Sequence, residues 1–366
     1  MSSTPSIAYF ISPHGYGHAA RAAGVMEAMH DLDSTLRFEI FTQVPRWFFE
    51  DSFSGAFGYH SLLTDIGLVQ KTPLHADIPE TVKRLNHFLP FDAFMITNLA
   101  RQIEKLKCDL IICDIAPMGI AVAEKASVPC LLIENFTWDW IYQRYLEEDA
   151  RMGEHISYLK SLFNAATFRI QTEPICNPCD ADLTTFPVSR KKKTPAYQIR
   201  KKLRIPEGTK AILITMGGIE EKYEFFEKLA MNRDVYFVIP GASRKVTIRD
   251  NLVRLPHHSD YFHPDLVNAS DAVIGKVGYS TLAEIYYAGV PFGYVARSRF
   301  RESQKLVVFI ENEMPGLPIS GDQFYSAAWL PSLPDLLALP RINRTGLRGA
   351  EQIARFIHNL IKPSSL

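Results

Sequence analysis

The run Ile7-Ala8-Tyr9-Phe10-Ile11-Ser12 leads without a break into Pro13-His14-Gly15-Tyr16-Gly17-His18-Ala19-Ala20-Arg21, and this stretch decides the fold. A short apolar run rich in strand formers and bounded by Pro and Gly reads as a buried strand. His18–His30 then reads as a helix. A strand that passes through a glycine-bearing turn into a helix opens a βαβ unit, and ligands of such sheets bind beyond the carboxyl ends of the strands. The turn is not a dinucleotide fingerprint, because Ala20 stands where the third glycine after Gly15 and Gly17 would fall.

Working outward, the same alternation continues. Strands are expected at Leu36–Thr42, Asp109–Cys113, Pro129–Glu134 and Thr167–Gln171. Helices are expected at Glu80–Lys107 (broken near Pro90), at Gly119–Lys125, and over most of Trp138–Phe163. Strands spaced by helices imply a parallel sheet covered on both faces. Pro174 to Pro195, with its prolines and the run Arg190-Lys191-Lys192-Lys193, reads as a solvated interdomain linker. The pattern then restarts. Strands are expected at Ala211–Thr215, Val235–Ile239, Leu252–Leu255, Ala272–Ile274 and Pro291–Val295. Helices are expected at Tyr197–Leu203, Tyr223–Met231, Ser280–Ala288 and Glu302–Glu313. The expected architecture is α/β, with two Rossmann-like doubly wound domains facing across a cleft. Residues 1–185 form the first domain and 186–345 the second, and 346–366 is a helix packing back on the first.

A chain of 366 residues suits about two domains at roughly 150 residues each. Apolar residues make up 47% and charged residues 22%, which is ordinary for a globular chain and excludes a disordered or fibrous one. Lys plus Arg number 40 and so do Asp plus Glu, so no electrostatic case for nucleic acid arises. No apolar run reaches the roughly 18 residues of a membrane span. The N-terminus lacks the basic stretch of a signal peptide. A cytoplasmic protein is expected, with room for a peripheral membrane contact through the basic run. Cys108, Cys113 and Cys130 read as small core hydrophobes. Cys176-Asn177-Pro178-Cys179 has no second pair or histidine to complete a zinc site.

Six loops follow strands. In the first, His14, Gly15, Gly17 and His18 sit at the start of a helix. A histidine there can take a proton from a hydroxyl, or the residues are a structural cap. In the second, Asp114 would hold the tautomer of His18, or cap the helix after Pro117. In the third, Glu134 to Trp140, the aromatics with Asn135, Trp138 and Asp139 suit a sugar, or the tryptophans are core. In the fourth, Met216-Gly217-Gly218 would admit a diphosphate, or is a plain turn. The fifth is Gly275-Lys276-Val277-Gly278-Tyr279-Ser280-Thr281-Leu282-Ala283-Glu284. It would converge Lys276, the Gly278 backbone and two hydroxyls on an anion, with Glu284 accepting ribose hydroxyls; a capping box is the alternative. The sixth, Arg297–Gln304, offers Arg301, Glu302 and Gln304 to sugar or phosphate, or is a solvated helix start.

Together these loops resemble the GT-B glycosyltransferases that use nucleotide-sugars. The phrases HGYGHAAR (14–21), NFTWDWIY (135–142) and ASDAVIGKVGYSTLAE (269–284) are similar to the glycosyltransferase-like N-terminal region of plant L-arabinokinase and its bacterial stand-alone relatives. The resemblance implies that His18 is the general base and Asp114, 96 positions on, orients it. It also implies that Lys276 replaces a phosphate-contacting His or Arg, and that Glu284 binds the ribose. Gly217, Gly218, Gly278, Tyr279, Ser280 and Thr281 complete the donor site, and Glu302 and Gln304 echo the acidic–Gln pair that holds the donor sugar. The expected reaction is transfer of a sugar from a nucleotide-sugar, UDP-linked by preference, to an acceptor hydroxyl near Trp138 and Asp139. Direct attack by the deprotonated hydroxyl implies inversion. Backbone amides and Lys276 would stabilise the leaving diphosphate without a metal, in keeping with no paired carboxylates at a strand end, and no cofactor is expected. A UDP-sugar 2-epimerase-like enzyme and a non-catalytic nucleotide-sugar binder are the rival readings.

Overall fold

A computed structural model describes residues 5–72, 74–217 and 223–361. The chain divides into two compact units, residues 1–190 with 347–366, and residues 191–346.

The first unit holds β1 (Ser6–Ile11), β2 (Arg37–Thr42), β3 (Phe57–Ser61), a small hairpin of β4 (Gln70–Thr72) and β5 (His75–Ala76), β6 (Cys108–Asp114), β7 (Cys130–Glu134), β8 (Phe168–Thr172) and β9 (Leu183–Thr185). Apart from the hairpin they form one parallel sheet in the order β3-β2-β1-β6-β7-β8-β9. The order reverses at β1, so the carboxyl ends of β1 and β6 flank the crevice where ligands enter doubly wound sheets. Side chains alternate as the strand period demands. Ile7, Tyr9 and Ile11 face a core shared with the helix Gly17–Leu32 and the final helix Gly349–Ile361. Phe10 faces the other way, toward the helix Pro117–Ala126, where a Cβ on Gly119 would stand 2.7 Å from it.

The second unit holds β10 (Lys210–Thr215), β11 (Val235–Pro240), β12 (Thr247–Arg249), β13 (Leu252–Leu255), β14 (Ala272–Lys276), β15 (Phe292–Val295) and β16 (Gly316–Ile319). Their order is β12-β13-β11-β10-β14-β15-β16, all parallel except the β12–β13 pair. Here the reversal lies at β10, between β11 and β14. Its core gathers Leu213, Val238, Val253, Val273 and Phe292 from the sheet, with Leu282 and Ile285 from the helix Tyr279–Ala288.

Several expectations need correction. The segment 174–195 is not a solvated linker. β9 lies within it and joins the sheet, and Thr185, Val188 and Ser189 are buried. A Cβ on Gly24 would stand 2.9 Å from the Ser189 carbonyl, so this segment packs directly on the first helix. The basic run is used locally: Arg190 stacks over Phe48 and donates to Ser52, while Lys193 lies over Phe262. Its break between residues 190 and 191 is where the units divide. Half-buried β3, short β9 and β12, and β16 with its Pro318 lack a strong period-two pattern and escaped the sequence reading. Trp138–Phe163 is a short helix (Trp138–Tyr142), a 3-10 turn (Gln143–Tyr145) and a longer helix (Met152–Asn164).

Candidate active site

In the first unit the crevice between β1 and β6 is occupied by a buried polar network. His18 Nδ1 lies 2.8 Å from Asp114 Oδ1. Arg21, one turn further along the same helix face, donates Nε to Asp114 Oδ2 at 2.8 Å and Nη2 to Asp114 Oδ1 at 2.6 Å. Its Nη1 donates to Asn135 Oδ1 at 2.7 Å. Asp114 is fully buried. Burial pushes its carboxyl up, but the Arg21 charge, the Arg21 hydrogen bonds and His18 outweigh that and hold it below the usual carboxylate range. Among the described residues nothing hydrogen-bonds His18 Nε2. Asp114 does not cap the following helix, whose N-cap is Ala116.

Gly15 has φ of +71°, so the turn bends through the left-handed region that glycine favours, and a Cβ there would meet nothing within 4 Å. Tyr16 is the N-cap, and Gly17 begins the helix. His14 packs edge-on against Trp138 with ring centroids 5.0 Å apart, and a Cβ on Gly67 would stand 2.7 Å from its Nδ1. Trp138 is 1% exposed. Phe136, Tyr142, His14 and His18 surround it, at centroid distances of 5.4, 5.8, 5.0 and 6.3 Å. It is therefore a wall of the His18 pocket and not an open stacking platform for a sugar, which corrects the expectation for the aromatic loop. Asp139 is the second residue of that loop's helix, and its buried Oδ1 has no hydrogen-bond partner among the described residues.

Three residues of this site were not singled out from sequence. Arg21 was legible in principle, because residues three apart share a helix face. Glu134 ends β7, and its Oε1 accepts from Gln171 Nε2 at 2.8 Å. Burial raises its carboxyl to about 7 against that hydrogen bond. Asp65 follows β3 and carries no local signature. Its Oδ2 accepts Trp138 Nε1 at 3.0 Å. Burial raises it to about 6, while the Ser12 hydroxyl, His18 and Trp138 pull it down.

In the second unit the reversal at β10 brings Gly217 and Lys276 together. Gly217 has φ of +75°, and a Cβ on it would stand 3.2 Å from Lys276 Cε and 3.4 Å from Nζ. Gly218, the other glycine of that turn, lies outside the described residues. Lys276 ends β14 and is 8% exposed. Burial lowers its ammonium to about 7, with Arg297 lowering it further and Glu302 raising it. Glu302 lies 3.4 Å from Arg297 Nη2, and the Arg297 guanidinium stacks on Phe300 at 3.6 Å.

The helix Tyr279–Ala288 has Gly278 as its N-cap and no side-chain cap, so the alternative of a Ser280 or Thr281 capping box is not what forms. A Cβ on Gly278 would meet nothing within 4 Å. Thr281 and Tyr279 are buried and Ser280 is half-buried at this terminus. Uncapped N–H groups and the helix dipole make such a terminus an anion site. Glu284, buried one turn in, accepts His263 Nδ1 on Oε2 at 2.6 Å. His263 was not singled out from sequence, since it comes from a different helix, His263–Ala269. Gln304 is exposed and does not join Glu302 and Lys276. Among the described residues no group of three His, Cys, Asp or Glu side chains is placed to hold a metal ion, and no helix is long and apolar enough to cross a membrane.

A family model described as Glycosyl transferase family 1 matches residues 5–319. An L-arabinokinase of Arabidopsis thaliana is 25% identical over 359 residues, which cover 96% of this chain and 34% of that protein. The chain thus spans about a third of the length of this curated relative. Among solved structures, a UDP-glucosyltransferase from Polygonum tinctorium matches with a TM-score of 0.62 at 11% identity, over 100% of both chains. The calicheamicin glycosyltransferase CalG4 matches at 0.61 and 13%, over 98% of this chain and 94% of that one. The glycosyltransferase VinC in complex with dTDP matches at 0.58 and 14%, over 96% and 94%. At these identities the likeness establishes the fold, which is GT-B.

Proposed function

We propose that this chain, which belongs to glycosyl transferase family 1, moves a sugar from a nucleotide-sugar to an acceptor hydroxyl. The observation that carries the reading is the His18–Asp114 contact of 2.8 Å at the sheet reversal. With Nδ1–H donated to Asp114, Nε2 carries the lone pair and is the atom left to accept a proton. In the step, the acceptor O–H bond breaks and its proton passes to Nε2. The oxygen forms a bond to the anomeric carbon as the bond from that carbon to the diphosphate oxygen breaks. The diphosphate leaves with the electron pair, and the anomeric centre is inverted.

The donor belongs to the second unit in this reading. Lys276 beside Gly217, and the uncapped terminus at Gly278 with Ser280 and Thr281, take the diphosphate. A buried amine with its pKa near 7 is charged most readily when an anion arrives, so the diphosphate recharges Lys276 as it binds. That supply of positive charge and amide dipoles suits a leaving diphosphate without a metal ion. Glu284, steadied by His263, takes the ribose hydroxyls. The dTDP in the VinC complex and the UDP-dependence of the Polygonum tinctorium enzyme support a nucleoside diphosphate as the leaving group. UDP is the nucleoside diphosphate favoured here, the acceptor carries a hydroxyl, and the setting is cytoplasmic.

A panel of UDP-, GDP- and dTDP-sugars, read first by thermal shift and then by product analysis, tests the proposal. Silence across the panel overturns the donor site. Epimerised nucleotide-sugar formed without any acceptor overturns transfer in favour of an epimerase on the same fold. Binding without turnover, unaffected by loss of His18, leaves a non-catalytic binder.

A further inference from the structure

The reaction above assigns roles to His18 and Asp114 and none to Asp65, although Asp65 is 3% exposed and built into the same pocket. Two hydrogen bonds pin the segment that bears it. Thr64 Oγ1 donates to the Ile11 carbonyl at the end of β1 at 2.7 Å, and the Tyr142 hydroxyl donates to the Gly67 carbonyl at 2.7 Å. Between these anchors Trp138 Nε1 donates to Asp65 Oδ2, and the indole ring stands 6.3 Å from the His18 ring. Asp65 is held within electrostatic reach of both His18 and Asp114.

The charges around His18 show why a second carboxylate is needed. Arg21 engages both oxygens of Asp114, so that pair is already neutral before His18 takes a proton. The same guanidinium places Nη2 3.4 Å from His18 Nδ1. An imidazolium at His18 therefore faces a neutral ion pair whose positive end is close to it. Asp114 can fix the tautomer, but it brings no net negative charge.

The rings packed against His18 and the phenols beside it do not supply that charge. Phe136 and Trp138 present uncharged rings to His18, and His14 stands against Trp138. Burial raises the Tyr9 and Tyr142 phenols well above their usual range and keeps them neutral, and Asp114 and Asp65 respectively push them the same way. Glu134 acts on Arg21 and is half-protonated near neutrality, and the buried Asp139 acts on Glu134.

We infer that Asp65 is a positioning residue whose carboxylate stabilises protonated His18, while Asp114, neutralised by Arg21, sets only the tautomer and ring orientation. The inference rests on His18 being the base. Asp65 is ionised at neutral pH, because its carboxyl titrates near 6. It supplies its charge through space and its geometry through Trp138. Proton transfer from the acceptor to His18 is thereby matched by a buried negative charge that the acceptor never touches.

The test follows the His18 imidazole nitrogens by NMR as a function of pH in the full chain. In Asp65→Asn the amide oxygen still accepts from Trp138 while the negative charge is lost. The His18 midpoint should then fall by roughly one pH unit. Trp138→Phe removes the donor but leaves the carboxyl in place, and above the Asp65 titration range it should shift the midpoint less than Asp65→Asn does. An unchanged midpoint in folded Asp65→Asn overturns the inference. If Asp65→Asn does not fold, the wild-type Asp65 carboxyl signal is read instead. A second inflection shared with His18 supports coupling, and a single independent inflection overturns it. The acid limb of the transfer pH–rate profile should move with the His18 midpoint. If the midpoint moves and the profile does not, the Asp65–His18 coupling stands and the role of His18 as base falls.

Discussion

Arg21 grips both carboxylate oxygens of Asp114, at 2.8 and 2.6 Å, while the same carboxylate holds His18 Nδ1 at 2.8 Å. A single buried Asp thus joins the end of β6 to two positions on the first helix, and Arg21 carries the link onward to Asn135 after β7. The site and the helix–sheet contact are the same set of bonds.

Arg21→Met should therefore cost stability. It leaves a buried carboxylate without its cation and removes the donor to Asn135, for a loss of about 3–5 kcal/mol. The sign with pH follows from the lowered Asp114 pKa. Its contribution is present above the usual unfolded carboxylate value near 4 and is lost as pH falls through the depressed folded value. Urea unfolding should show the gap between wild type and variant widest at neutral pH and closing in acid. A gap that stays constant with pH would mean that the ion pair is not its source.

Lys276→Met should do the opposite. The folded pKa, about 7, lies below the unfolded value near 10.5. The burial cost is full below pH 7 and fades as pH rises toward 10.5. The variant should be more stable than wild type by about 2–4 kcal/mol at pH 6 and nearly equal at pH 10.5. It should also lose affinity for nucleoside diphosphates. Paired urea titrations at the two pH values, with and without UDP, check both halves.

A nucleotide-sugar supplied at about 100 times its dissociation constant should stabilise the wild type by about 2.7 kcal/mol. Glu284→Ala should abolish that gain, and His263→Ala should reduce it, because the Glu284 carboxylate then loses its 2.6 Å partner. A full gain in Glu284→Ala would remove Glu284 from the ribose site.

His18→Ala should lower the transfer rate by about 10²–10⁴-fold while leaving the thermal shift from donor intact. Its side chain is one end of the network, so Arg21 and Asp114 still satisfy each other without it. A rate within a few-fold of wild type would mean that the proton leaves by another route.

What was legible in the sequence follows from locality. Ile7–Ser12 is apolar and flanked by turn formers, so its strand could be read directly. β3 could not be read that way, because its half-buried residues Phe57–Ser61 mix Gly, His and Ser. The turn at Gly15 and the glycine-to-Glu284 spacing could be read as candidate ligand loops because the chemistry and the backbone requirement sit in one short stretch. Asp65 is the opposite case. Nothing within five residues of it hints at a role, and its partner Trp138 is 73 positions away.

The sequence by itself determined the alternation of strands and helices, the restart of that pattern in the second half, and the loops that follow the strands. Each is a property of neighbouring residues, and periodicity and turn chemistry act over a few positions. Only the tertiary structure decided which charges meet. It gave Asp114 to Arg21 as well as His18, Glu284 to His263, and Lys276 to a burial deep enough to lower its ammonium to about 7. Electrostatic energy depends on distance in space and on how completely water is excluded, and neither is written at any single position of the chain.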